Sequence, residues 1–136
     1  MKYVNLLPVF ISLSFTVQAN DYLGSYYQKY EECTESERSK KQLTENVIIE
    51  HGLNKQDLKY ILIIKDIRIA KCSEEEEKMY LNSANKDQLI TTQSEYNKII
   101  LSKLKREELI HINKINKNLA EFNVDVNIIS LYESLK

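Results

Sequence analysis

The segment CTESERSKKQLTENVIIEHGLNKQDLKYILIIKDIRIAKC, Cys33 to Cys72, is bounded by the only two cysteines of the chain and holds Gly52, one of its two glycines. Gly52 stands where a residue just past a helix end should, because glycine enters the left-handed region without a Cβ penalty. Asn54 follows as a natural N-cap, with Asp57 at N3. A turn is therefore expected at Gly52-Leu53-Asn54, and the midpoint of 33 and 72, at 52.5, falls on it. In an antiparallel αα-hairpin, residues equidistant from the turn lie side by side. Both cysteines are also in phase with the apolar positions around them, buried between helices. A disulfide between Cys33 and Cys72 follows from this geometry. It would close a loop of about 40 residues, worth roughly 4 kcal/mol in the chain-entropy model.

Outward from the turn, the chain is poor in the residues that punctuate β and α/β folds at every connection: Pro8 is the only proline and Gly24 the only other glycine. The expected class is all-α, a small three- or four-helix bundle built on an antiparallel αα-hairpin with one inter-helix disulfide. Periodicity places helices over about 21–51, 54–82 and 86–122, with a short C-terminal helix over about 125–135. The first carries Tyr22, Tyr26, Tyr30, Cys33, Thr44, Val47 and His51 on one face. The second carries Leu58, Leu62, Ile69, Cys72 and Met79 on one stripe and Ile61, Ile64 and Ile67 on an adjoining one, which implies two neighbours.

The third is expected to start at a capping box of Asn85 and Gln88. Its apolar positions are Leu89, Tyr96, Ile100 and Leu104, then Ile112, Ile115, Leu119, Phe122, Val126 and Ile129. Unbroken it would be too long for its neighbours, so a break is expected near Lys105 to Glu108, where the stripe shifts phase, or at Asn123 to Asp125. The run Val124 to Ile128 alternates like a strand. With no strand to pair with, it reads as a bend.

The first nineteen residues have the features of a secretory signal peptide: Lys2, an apolar run from Val4 to Val17, and Val17-Gln18-Ala19 before an expected cleavage after Ala19. That run falls short of the roughly 20 residues that span a bilayer, so no stable membrane anchor is expected. Residues 20–136 then form a single helical domain, periplasmic or secreted, in a compartment that permits disulfides. Without Lys2 the exported chain has 18 basic against 20 acidic residues. This near-balance argues against a nucleic-acid partner, which would need excess Lys and Arg to neutralise phosphates.

The equal-height rule of the hairpin also sorts the charges. It brings Glu31, Glu32 and Glu35 level with Glu74, Glu75, Glu76 and Glu77, an acidic zone beyond the disulfide. It brings Arg38, Lys40 and Lys41 level with Lys65 and Arg68, a basic zone on the turn side. Tyr22, Tyr26, Tyr27 and Tyr30 crowd one stretch of a chain that has no Trp. Tyrosine joins a large apolar body to a polar tip and is enriched where proteins meet. The competing reading has these rings close the end of the bundle against Met79 and Tyr80.

Catalytic signatures are missing: no Gly-rich phosphate loop, no nucleophile elbow, no H-E-x-x-H. His51 stands at a helix end and His111 on a helix surface, and Glu74 to Glu77 circle a helix without converging. No enzyme, cofactor or metal is expected. The expected function is that of an exported protein that binds and neutralises an enzyme, as an immunity protein or inhibitor does against a cationic, wall-degrading hydrolase or toxin. Its candidate contacts are Tyr22, Tyr26, Tyr27, Tyr30, Glu31, Glu32 and Glu74 to Glu77. A periplasmic holdase and a structural subunit of an envelope or secretion complex are the two alternatives.

Overall fold

The computed structural model describes residues 14–84 and 90–135, with side chains from Asp21 onward. In chain order it contains α1 (Ser14–Arg38), α2 (Glu45–Glu50), a 3-10 turn (Lys55–Asp57), α3 (Leu58–Cys72), α4 (Glu74–Ser83), α5 (Gln93–Ser102), α6 (Arg106–Asn118) and α7 (Ile128–Ser134). All regular elements among the described residues are helical. Most of the expected signal peptide, and the expected Asn85–Gln88 cap with Leu89, lie outside those residues. No helix among them is long and apolar enough to cross a membrane.

The turn at the centre of the chain has the chemistry read from it. Gly52 adopts φ 68°. Asn54 Oδ1 accepts from the Gln56 N–H at 2.8 Å, and the Asp57 carboxylate accepts from the Asn54 N–H at 2.9 Å. These bonds satisfy amide donors that the first turn of a helix leaves orphaned.

The flanking helices are each shorter than expected. The first ends at Arg38, and α2 is a separate element capped by Thr44, whose exposed side chain belongs to no apolar face. From Thr34 to Gln42 the chain has no apolar side chain to hold a helix against a core. Lys41 instead pairs its backbone with the segment after α6: its N–H donates to Glu121 O at 3.2 Å and its carbonyl accepts from Asn123 N–H at 2.8 Å. The extended stretch after α6 thus does find a partner, in one parallel bridge between Lys41 and Phe122.

The second helix divides at Ser73. This buried residue turns its hydroxyl back onto Ile69 O at 3.0 Å, a bond that competes with the helical ladder and bends helices. The third breaks between α5 and α6, beside the expected Lys105 to Glu108, and again after Asn118, short of the expected end at about 122. Glu95 and Glu108 each accept from the backbone N–H three residues earlier, at Thr92 and Lys105, and so start α5 and α6.

The central helix is α3, which packs against α1, α5, α6 and α7. Four neighbours, not two, explain why apolar residues nearly encircle it. Leu58, Ile61 and Ile64 are fully buried in one cluster with Leu43, Ile48, Ile112, Ile115, Leu119, Val124 and Leu131. Leu62, Cys72 and Met79 of the expected stripe are instead exposed, as are Tyr96 and Ile129 of the later one. The break at Ser73 resets the phase before Met79, and the break after Asn118 resets it before Ile129.

The helix α1 joins α3 and α4 outside that cluster through three contacts. Cys33 and Cys72 form the disulfide, with a Cα–Cα distance of 5.9 Å. Tyr26 stacks on Tyr80, ring centroids 6.3 Å apart and 12° from parallel. Glu37, 4 % exposed, pairs with Arg68 at 2.7 Å. Arg68 then spends its remaining donors on Asn116 Oδ1 and on the carbonyls of Asn116, Leu119 and Phe122, at 2.7 to 3.1 Å. Glu37 also accepts from Lys40 Nζ at 2.6 Å and from the Val124 N–H at 3.1 Å.

Three outcomes follow. Reducing the disulfide is expected to cost about 4 kcal/mol, and a melt unchanged by a reductant shown to open the bond would contradict it. Arg68→Met should cost about 3 kcal/mol or more in urea unfolding, since it leaves a buried carboxylate and several carbonyls without their donor. Combining it with Glu37→Leu should recover part of that loss. Asp125 supplies a pH dependence: burial pushes its carboxyl up, but hydrogen bonds from Lys65 and Arg38 outweigh this and hold it below the ordinary value. Its stabilisation is thus present above the unfolded value of about 3.9 and lost as pH falls through the lower folded value. Asp125→Asn should make acid unfolding less steep in that range, as followed by circular dichroism.

Candidate binding surface

The four tyrosines divide into two roles. Tyr26 is 4 % exposed, and its hydroxyl accepts from the Gln93 N–H at 3.4 Å. Its ring contacts Tyr27 and Tyr30 at 5.6 and 6.3 Å as well as Tyr80. Burial drives its hydroxyl pKa above the ordinary value, only partly offset by that backbone bond. Tyr26 is therefore structural, and it closes the end of the bundle against Tyr80; its place among the partner contacts is corrected. Tyr30 is half-buried beside it, its hydroxyl also raised by burial. Tyr22 and Tyr27 remain open at 39 % and 50 %.

The acidic residues divide in the same way. Glu32 lies 3.5 Å from Lys29, Glu35 2.7 Å from Arg38, and Glu74 2.7 Å from Lys78. A hydrogen bond from Lys78 holds the Glu74 carboxyl below its ordinary value. Glu31 and Glu75 are exposed and Glu76 is half-buried, and none of the three has an ion-pair partner among the described residues. Glu77 turns inward, 4 % exposed, and accepts from Ser94 Oγ. Its burial removes it from any docking face. Exposed Tyr22, Tyr27 and Glu31 of α1 and exposed Glu75 with half-buried Glu76 of α4 thus stand on two helices packed against each other.

The expected basic zone does not exist as a free surface. Arg38 and Lys65 both reach Asp125, at 2.6 and 3.0 Å, and Lys41 reaches Glu121 at 2.6 Å. Lys40 and Arg68 both serve Glu37. Equal height on two helices says nothing of the carboxylates that later segments bring, and Glu121 and Asp125 come from the segment after α6.

His51 is the C-cap of α2, its ring edge-on to Phe122 at 5.7 Å. His111 is more engaged than a plain surface residue: Nε2 lies 2.7 Å from Asp57 Oδ1 and the ring stands edge-on to Tyr60 at 5.5 Å. It ties α6 to the capping box that starts α3. No group of three or more His, Cys, Asp or Glu side chains among the described residues converges as a metal site. The arrangement offers contact area and unpaired negative charge. The chain matches no protein-family model, no curated protein and no solved structure.

Proposed function

We propose that this is an exported binding protein that neutralises a cationic enzyme, a wall-degrading hydrolase or toxin being the class that best fits its charge and compartment. The carrying observation is the α1–α4 end, where half-open Tyr22 and Tyr27 accompany Glu31, Glu75 and Glu76, carboxylates with no ion-pair partner there. Aromatic rings supply the anchors of protein interfaces at low entropic cost, and unpaired charge steers encounter and register. The antiparallel hairpin reading gives this end its rigidity, with the disulfide and the Tyr26–Tyr80 stack directly behind it. The N-terminal features read as a signal peptide, together with the disulfide, favour a periplasmic or extracellular setting.

The test is inhibition and binding of purified cationic muramidases by the disulfide-intact chain. Tyr27→Ala is expected to weaken the complex by about 1–3 kcal/mol, roughly ten- to a hundredfold in Kd. Glu31, Glu75 and Glu76 changed together to Lys should slow association and reduce its salt dependence, with little change in dissociation. Retention of unfolded proteins only, with no folded enzyme bound, would instead favour the holdase reading.

A further inference from the structure

A cleft of about 160 Å³ lies between α1 and the start of α5, lined by Tyr26, Tyr27 and Tyr30 from the first and Ile90, Thr91 and Gln93 from the second. That volume has room for one side-chain head group and is too small for a drug-sized molecule, which needs roughly 300 Å³ or more. Tyr26 is nearly buried on Tyr80, so the accessible rings are those of half-open Tyr27 and half-buried Tyr30.

The surroundings decide which charge suits the cleft. None of its six lining side chains is charged. Aromatic rings present a negative face and attract a cation over it. Carboxylates act on the same rings: after burial, Glu77 raises the Tyr26 hydroxyl pKa, and Asp66 and Asp125 raise that of Tyr30. Lys65 opposes them at Tyr30, but it is held on Asp125 at 3.0 Å. Glu31 stands one helical turn beyond Tyr27, exposed and with no ion-pair partner among the described residues. Acceptors are present as well. Gln93 spends Nε2 on Asn97 Oδ1 at 3.0 Å and keeps its own amide oxygen, and the exposed Thr91 hydroxyl has no hydrogen-bond partner among the described residues. A guanidinium meets both demands, since its weakly hydrated plane stacks on rings while its edge donates; an ammonium is a compact, strongly hydrated point charge.

We propose, on the footing of the docking surface above, that this cleft receives the guanidinium of an arginine on the cationic partner. Its plane lies against the Tyr27 and Tyr30 rings, and its N–H groups face the acceptors of Thr91 and Gln93. Glu31 adds a countercharge close to Tyr27.

The test is a nitrogen-15 NMR titration of the full, disulfide-intact chain with N-acetyl-arginine amide, against N-acetyl-citrulline amide, which has the same shape and a neutral head. The arginine compound should give saturable shifts at Tyr27, Tyr30 and Gln93, and the citrulline compound should bind more weakly. Tyr27→Leu, which keeps an apolar wall and removes the ring, should lower the arginine affinity by about two- to thirtyfold, while Tyr27→Phe should retain it. The comparison of the two compounds on the wild-type chain stands even if a variant fails to fold. Equal binding of citrulline, an unaffected Tyr27→Leu variant, or no saturable shift with arginine would overturn the assignment. Arginine bound in the cleft by a chain that holds no cationic muramidase would support the cleft and remove the docking reading. A muramidase held equally well by Ile90→Trp, which fills the cleft, would overturn the cleft and leave the docking surface standing.

Discussion

One guanidinium does what the apolar cluster of this protein does not: it ties α1 to α3 and to the segment after α6. Arg68 binds Glu37 on α1 and the carbonyls where α6 ends and the extended segment begins. Helix C-termini leave carbonyls without amide donors, and a buried one must be satisfied from elsewhere. A planar fork of five N–H groups suits that task, which a lysine cannot perform. Glu37, in turn, neutralises the charge and receives the Val124 N–H, fixing the start of the extended stretch. Ion pairs buried to this degree seldom add much net stability over well-packed apolar residues. Here the pair ties α1, α3 and the α6–α7 segment together through directional hydrogen bonds.

The apolar cluster and α1 form two distinct mechanical regions. The cluster gathers α2, α3, α6 and α7 around Ile48, Ile61, Ile64 and Leu119. The helix α1 contributes none of its members. Its polar and covalent ties include a disulfide, one stacked ring pair and two ion pairs, Glu37 with Arg68 and Arg38 with Asp125. A long helix with little apolar area to bury is costly to order, since its backbone entropy is lost for few contacts. A covalent link that limits the unfolded chain offsets part of that cost. Tyr22 and Tyr27 of this helix remain exposed.

The charge pattern shows the limit of local geometry. Arg38, Lys40, Lys41 and Lys65 make up a basic zone on paper, but each meets a carboxylate, and Asp125 alone receives two of them. Exposed pairs of this kind contribute little to stability. Their consequence is electrostatic: the basic side chains of that end are neutralised and do not form a free positive surface.

The sequence by itself determined the helical class, through its lack of proline and glycine, and the central turn, through Gly52, Asn54 and Asp57. It also determined the cysteine pair, because these are local or one-dimensional properties: φ preferences, amide capping and distance counted from a turn. The sequence left Tyr22, Tyr26, Tyr27 and Tyr30 open between partner contact and closure of the bundle end, and only the stacking of Tyr26 on Tyr80 separates that buried ring from exposed Tyr22 and Tyr27. Tertiary structure alone decided that α1 stops at Arg38, that Ser73 bends the second helix, that Arg68 lies inside and that Glu77 turns inward. Each of these depends on a partner distant in the chain or on a choice between two hydrogen bonds of similar worth. Periodicity records which face of a helix is apolar, but it carries no information on which carboxylate or carbonyl will arrive from fifty residues away.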